Sequence, residues 1–352
     1  MSEFEIIANE KLNRRSDIDF LRALGFLLIV LAHVGNAPVA IMQLRNFDVV
    51  LMVIVMGMSF SLGGGRDNRY RDYIVKRFRR LILPVWIFLI IYFLIATVLR
   101  NVLPVFDFNI EDLFYSFILQ TGIPEYGGIG YVWIFRVYFF MALISPVLKA
   151  VSEKCTSKSY TSKSYILILI GLVLINEIVG LLCQTVCAVP IGEVFSQVVP
   201  YLTGYAVALF IGIVVDKMSK GQRIIITLLF GSVFVAHMLV FGFELPQTQK
   251  YPPRLYYLSY AVMASMVCYA CANIKRLQPI VRSKIIMWLS QNSFWLYLWH
   301  IIPLKVITSS ILPDKLDNFV VRYVCIVACT VILVEIHSLI KIVWKVIRRQ
   351  KL

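Results

Sequence analysis

Charge is scarce in this chain. Only 16% of its 352 residues are Asp, Glu, Lys or Arg, against about a quarter in ordinary globular proteins. The shortage is confined to long apolar stretches, which argues against a water-soluble domain of this size. Phosphate-loop chemistry is also missing: no GxxxxGK spacing occurs, so the glycine-rich GIPEYGGIGYVW reads as a turn rather than a phosphate cradle. The seven cysteines form no disulfide framework. Cys183/Cys187 and Cys325/Cys329 are four apart and Cys268/Cys271 three apart, inside apolar runs, where they serve as small packing groups. They lack further ligands, so no metal site is expected. Internal repeats and long low-complexity linkers are absent, and TSKSYTSKS is only a short polar loop. Residues 1–352 are therefore expected to form one transmembrane domain with no fused soluble domain.

What fills the chain instead is hydrophobic residues, 59% of the total. A run of about 20 apolar residues crosses the hydrocarbon core as a helix. Barrel strands would show short alternating segments, and none are seen. The fold class expected is an all-α integral membrane protein of about ten transmembrane helices. The spans are placed at 18–38, 47–64, 81–100, 131–151, 165–187, 196–215, 224–242, 254–273, 285–307 and 319–345. The first of these carries Arg22 and His33 and is followed by no small-residue cleavage site, so it does not read as a signal peptide. Between the third and fourth spans, Ile110–Gln120 has the pattern of a short amphipathic helix. Tyr126, Tyr131 and Trp133 after it fit an interfacial aromatic belt.

The net charge of +15 would suit nucleic acid if it were clustered on one surface. It is distributed by loop instead. With the N-terminus inside, 26 of the 35 lysines and arginines fall in inside segments. That asymmetry marks the cytoplasmic side and puts both termini in the cytoplasm. The expected location is a cell membrane crossed many times, with membrane lipids and no nucleic acid as partners.

Ionisable groups inside spans are costly and mark functional candidates. Arg22 and His33 are eleven residues apart, about three turns and about 16 Å along a helix, and eleven steps of 100° return to nearly the same face. Asp19, one turn before Arg22, is in reach of its guanidinium. Snorkelling at the interface would explain Arg22 equally well, but it explains His33 less well. Arg136 lies within the fourth span beside Trp133. Glu177, His237, His300, Glu335 and His337 are the other intramembrane polar groups. His33, His237 and His300 are expected at similar depth in the outer half, which would suit a metal or a proton relay, but the lack of an i, i+4 ligand pair stands against both.

The stretch RRSDIDFLRALGFLLIVLAH resembles the start of the acyltransferase family 3 proteins, bacterial membrane O-acyltransferases of surface polysaccharides. Their first helix carries an arginine, ten residues, then a histidine, which here are Arg22 and His33. The likeness continues through FDVVLMVIVMGMSF, YIVKRFRRLILPVW, GYVWIFRVYFFMALISPVL, KYPPRLYYLSYA and NSFWLYLWH, in the expected order along nearly the whole chain. One departure stands in the second span, where the family usually has Ser-Gly and this chain has Met56-Gly57-Met58-Ser59; Ser59 is the nearest hydroxyl.

This resemblance implies transfer of an acyl group, most often acetyl, from cytoplasmic acyl-CoA to a sugar hydroxyl of a cell-surface or lipid-linked glycan. Acetyl-CoA or another acyl-CoA is then a co-substrate, and no permanently bound cofactor is expected. A thioester is already activated, so the reaction chiefly needs a base near neutrality, and imidazole suits that task. His33 is the expected general base, with an acyl-histidine as a variant; Asp19 and Arg22 would organise the cavity mouth, Arg22 pairing with a phosphate of the donor. Arg136, Lys76, Arg77, Arg79 and Arg80 are candidates for donor binding, the last four equally explained as topology signals. His300, Trp133, Lys250 and Tyr251 are candidates for the acceptor site, the KYPP turn being also readable as a rigid loop. Because His33 falls towards the outside while the donor is cytoplasmic, the pantetheine arm would have to reach through the bundle. A transporter or flippase of a small solute or lipid-linked sugar is the alternative class. The lack of repeats and of paired interrupted helices stands against it.

Overall fold

A computed structural model describes residues 14–63, 69–120, 129–157, 163–186, 190–309 and 318–350. The expectations for the glycine-rich stretch up to Gly128, with Tyr126, for the middle of the TSKSYTSKS loop, for Cys187 and for the basic residues Lys11, Arg66, Lys158 and Lys351 lie outside the described residues. Among those described, all regular structure is helical. In chain order it comprises α1 (Ser16–His33), α2 (Val39–Leu44), α3 (Asp48–Gly63), α4 (Tyr70–Leu99), α5 (Ile110–Phe117), α6 (Trp133–Ser157), α7 (Lys163–Val186), α8 (Pro190–Val214), α9 (Lys220–Phe241), α10 (Leu255–Ala272), α11 (Gln278–Val281), α12 (Lys284–Trp299), α13 (Ile301–Ile307) and α14 (Phe319–Gln350).

Eight helices among the described residues are long and apolar enough to cross a membrane, if α2 and α3 are taken as one segment from Val39 to Gly63. Two of the ten expected spans fall short of that standard for separate reasons. The first helix, α1, carries Asp17, Asp19 and Arg22 within only 18 residues. The expected 285–307 span is divided at His300 into α12 and α13. Pro303 has no amide hydrogen to give to the Trp299 carbonyl, and the helical hydrogen bonding lapses there. Elsewhere local signals set the ends as the residue types dictate. Gly35 and Asn36 take positive φ of 71° and 52° and stop α1, since a helix cannot continue through left-handed backbone. Asn109 with Asp112 and Ser219 with Gln222 form capping boxes that start α5 and α9. The amphipathic segment expected at Ile110–Gln120 is α5.

Packing is densest around α8, where Leu209, Phe210 and Ile211 are fully buried. It meets α3 at Gly57 and Gly212. A Cβ on Gly57 would stand 2.5 Å from the Leu209 carbonyl oxygen, and one on Gly212 would be closer still to that of Ile54. Only glycine lets the two backbones lie this close. On the periphery, α7, α9 and α14 turn Leu174, Leu239 and Ile340 outward, all exposed; lipid, not water, accommodates such surfaces. The chain direction of α14 follows from its partners. The Tyr323 hydroxyl donates to the Leu27 carbonyl late in α1, whereas Lys341 stacks on Trp295, five residues beyond a serine of α12 that bonds the start of α1. Both ends of the described chain therefore lie at the same end of the bundle.

Candidate active site

Polar side chains collect at the two ends of the bundle, and α1 links them. At the end where the chain begins, Arg14 grips Asp19 through Nε at 2.5 Å and Nη2 at 2.8 Å, and the Ser290 hydroxyl donates to the same carboxylate at 2.6 Å. Arg22 does not bond Asp19. It donates through Nη2 to Ser59 at 2.7 Å and through Nη1 to Ser290 at 3.3 Å. The expectation that Asp19 holds the Arg22 guanidinium is thus corrected: Arg14, five residues before Asp19, takes both carboxylate oxygens, and Ser290 relays between Asp19 and Arg22. Ser59, the hydroxyl displaced from the family's usual position, is the tighter partner of Arg22. A second network at this end ties Arg15 to Asp17 and Asp216, Asp216 to the Tyr269 hydroxyl at 3.2 Å, and Arg223 to that hydroxyl at 3.0 Å.

The basic run at the start of α4 belongs to this same end. Arg77 lies over the Tyr73 ring at 4.9 Å, and the Tyr73 hydroxyl donates to the Ala142 carbonyl of α6 at 2.9 Å. Lys76, Arg79 and Arg80 are exposed. These four lie together as expected, but Arg136 does not join them. It sits one turn into α6, at the opposite end of that helix from the basic loops, with its guanidinium 5.9 Å from the Tyr201 ring.

At the far end of α1, His33 meets two aromatic neighbours brought from distant segments. Its ring stands edge-on to Tyr131 at 4.5 Å and nearly parallel to His300 at 5.8 Å. His300 is fully buried. Its Nδ1 faces the Tyr297 carbonyl, which only an N–H can do favourably, so the ring's lone pair is on Nε2. That nitrogen is buried and has no hydrogen-bond partner among the described residues. The Tyr297 hydroxyl in turn donates to the Tyr131 carbonyl at 2.5 Å, fixing the segment that carries Tyr131 against α12. The third histidine expected at this depth is elsewhere. His237 stacks on Tyr256 at 4.3 Å and packs on Phe241 at 4.7 Å, so no three-histidine relay forms. Among the described residues no group of three or more metal-ligating side chains occurs.

Beside the histidine pair lies a buried ionic knot that the sequence reading missed. Lys250 donates to Asp48 at 2.8 Å and to Asn46 at 2.9 Å, and Arg45 donates to the other Asp48 oxygen at 2.6 Å. Lys250 is 1% exposed and Asp48 2%. This clamps the KYPP turn onto the corner between α2 and α3, so Lys250 acts here as a structural pin, while Tyr251 remains 47% exposed. Trp133 is edge-on to Tyr251 at 5.3 Å and to Tyr201 at 6.2 Å. Glu177, another intramembrane candidate, is consumed structurally. It pairs with Arg254 at 3.0 Å and accepts from the Leu255 amide at 2.9 Å, holding the start of α10.

Two histidines at one end of the bundle are thus joined by α1 to a cluster of cations about 16 Å away towards the other. The fold is that of a polytopic membrane protein. The match to the family model described as an acyltransferase domain spans residues 15–337, nearly the whole chain, and the chain belongs to this acyltransferase family 3. Comparison with curated proteins and with solved structures gave no match.

Proposed function

We propose that this membrane acyltransferase moves an acyl group, acetyl in the first instance, from cytoplasmic acyl-CoA to a hydroxyl of a cell-surface or lipid-linked glycan, in a bacterial inner membrane. The observation that carries this reading is the meeting of His33, His300 and Tyr131 on the helix whose other end holds Arg22. The four basic residues Lys76, Arg77, Arg79 and Arg80 suit the phosphates of CoA, and the pantetheine arm then extends along α1 with the thioester foremost. The acceptor hydroxyl attacks the thioester carbonyl while an imidazole nitrogen of His33 takes its proton. Collapse of the tetrahedral adduct breaks the C–S bond, and the imidazolium returns the proton to the departing thiolate. Tyr131 and His300 fix the plane of the His33 ring, as a general base requires. Arg22, bonded to Ser59 and Ser290, holds α1 in register with α3 and α12.

The test uses membranes containing the parent protein or His33→Ala at matched levels, supplied with acetyl-CoA and lipid-linked glycans from the native host. Free thiol and O-acetyl sugar should rise together in the parent and fall by about 10²-fold or more without the imidazole. Survival of activity in His33→Ala would transfer the base role to His300, whose Nε2 is open. If the parent releases no thiol with its native glycan, the reaction assigned here is wrong.

A further inference from the structure

Among the described residues Arg136 has no ion-pair partner. It is 8% exposed, its Nε and Nη1 are buried with no hydrogen-bond partner there, and its guanidinium lies 5.9 Å from the Tyr201 ring. Arg45 and Lys250, the other buried cations at this end, each have a carboxylate partner in the Asp48 they share, and the half-buried Arg254 has Glu177. Leaving a guanidinium unpaired inside a membrane protein is expensive, and such a group is retained where a ligand completes it.

A row of aromatic rings in contact connects Arg136 to the exposed Tyr251. Tyr251, the exposed member, is edge-on to Trp133 at 5.3 Å; Trp133 is edge-on to Tyr201 at 6.2 Å; Tyr201 lies against Arg136. Trp133 and Arg136 are three residues apart on α6 and so share a face. Aromatic faces receive the apolar C–H faces of pyranose rings, and a guanidinium binds carboxylate or phosphate through two parallel hydrogen bonds. The row therefore has the chemistry to receive an acidic sugar.

We propose that Arg136, at the inner end of the Tyr251–Trp133–Tyr201 row, is the receptor for an anionic group on the acceptor, a carboxylate or a phosphate, so that the acceptor is an acidic rather than a neutral glycan. This rests on the acyltransferase reading only in calling the ligand an acceptor. It takes Arg136 away from the CoA-binding residues with which the sequence had grouped it.

The experiment measures binding by tryptophan fluorescence to the full chain in nanodiscs of zwitterionic lipid. The probes are a glucuronate oligosaccharide, its neutral methyl ester, a hexose 1-phosphate and CoA. The carboxylate or the phosphate probe should bind, the ester on the order of 10- to 100-fold more weakly. Arg136→Gln should abolish the preference, Arg136→Lys should retain part of it, and CoA affinity should be unchanged in both. Whichever of the carboxylate and phosphate probes binds more tightly identifies the source of the anion. Equal binding of acid and ester by the parent would overturn the proposal, and so would a loss of CoA affinity in Arg136→Gln. The parent's own acid-to-ester ratio decides the matter if the glutamine variant fails to fold. Thiol release from acetyl-CoA is scored separately. Acid-selective binding without turnover would leave the anion site standing and remove the acyltransferase reading, whereas turnover on neutral acceptors would do the reverse.

Discussion

Asp48 is the hub of the buried knot, and its two cations are not equivalent to it in what their loss leaves behind. Replacing Asp48 by Asn strands Arg45 and Lys250 together without a carboxylate, both nearly inaccessible to solvent. Breaking a buried pair in this way costs about 3–5 kcal/mol. Lys250→Met is milder, because Arg45 and Asp48 remain a neutral pair, the Asp48 oxygen that loses the ammonium keeps the Val49 amide, and the Asn46 carbonyl oxygen alone gives up its donor without that support, which costs about 1–3 kcal/mol. Thermal unfolding of the purified variants should thus rank the parent above Lys250→Met and both above Asp48→Asn. A lysine variant as unstable as the asparagine variant would mean that the ammonium, not the carboxylate, organises this corner. Little of the knot was legible beforehand, since 202 residues separate Lys250 from Asp48 and no local period connects them. The Arg22–His33 pair was legible because both sit on one helix, where spacing alone determines the shared face. Ser290 went unnoticed for a different reason: one hydroxyl among many in apolar helices carries no signal until its neighbours are known.

Helix identity was readable wherever apolar runs were continuous, and it failed where charge or proline interrupted them. The membrane asks for about 20 residues without unpaired polar groups, and runs such as Tyr70–Leu99 or Lys220–Phe241 announce themselves. The break at His300 needed the Pro303 position to be weighed against the preceding carbonyl. How elements approach one another was not legible at all. Gly57 was noted only as part of a departure from the family pattern, yet its role is set by Gly212 on α8. Adding a methyl to Gly212 would drive α3 and α8 apart, and over-packing of this kind costs about 1–3 kcal/mol or more. Gly171 on α7 offers a control, since a Cβ there meets nothing within 4 Å. Gly171→Ala should leave stability unchanged or raise it by up to about 1 kcal/mol. Gly212→Ala should lower the unfolding temperature, and acyl transfer should fall with it, because α3 carries Asp48 at one end and Ser59 at the other. Equal tolerance of the two alanines would show that the α3–α8 approach is adjustable.

For the molecule as a whole, the decisive quantity is which end of the bundle faces the cytoplasm. Three sets of residues agree on one end: Arg14 to Arg22, the Asp216–Arg223–Tyr269 network, and the basic start of α4. They coincide with the loops richest in lysine and arginine, which are retained inside. The other end holds His33, His300, the KYPP turn and Arg136. Thr248, exposed in the turn before Lys250, and Lys275, exposed after α10, therefore lie at opposite ends of the bundle. In bacteria expressing Thr248→Cys, a membrane-impermeant maleimide should label intact cells well above the parent, whose native cysteines set the background. Lys275→Cys should be labelled only after permeabilisation. Labelling in the reverse order would turn the molecule over. His33 would then face the acyl-CoA pool directly, the thioester would need no passage along α1, and the acceptor would have to be a glycan intermediate still on the cytoplasmic leaflet. Labelling as expected would mean, for the reaction proposed, the opposite: acyl donor and glycan would meet at His33 from different compartments, and the length of α1 from Arg22 to His33 would be the distance the pantetheine arm must span.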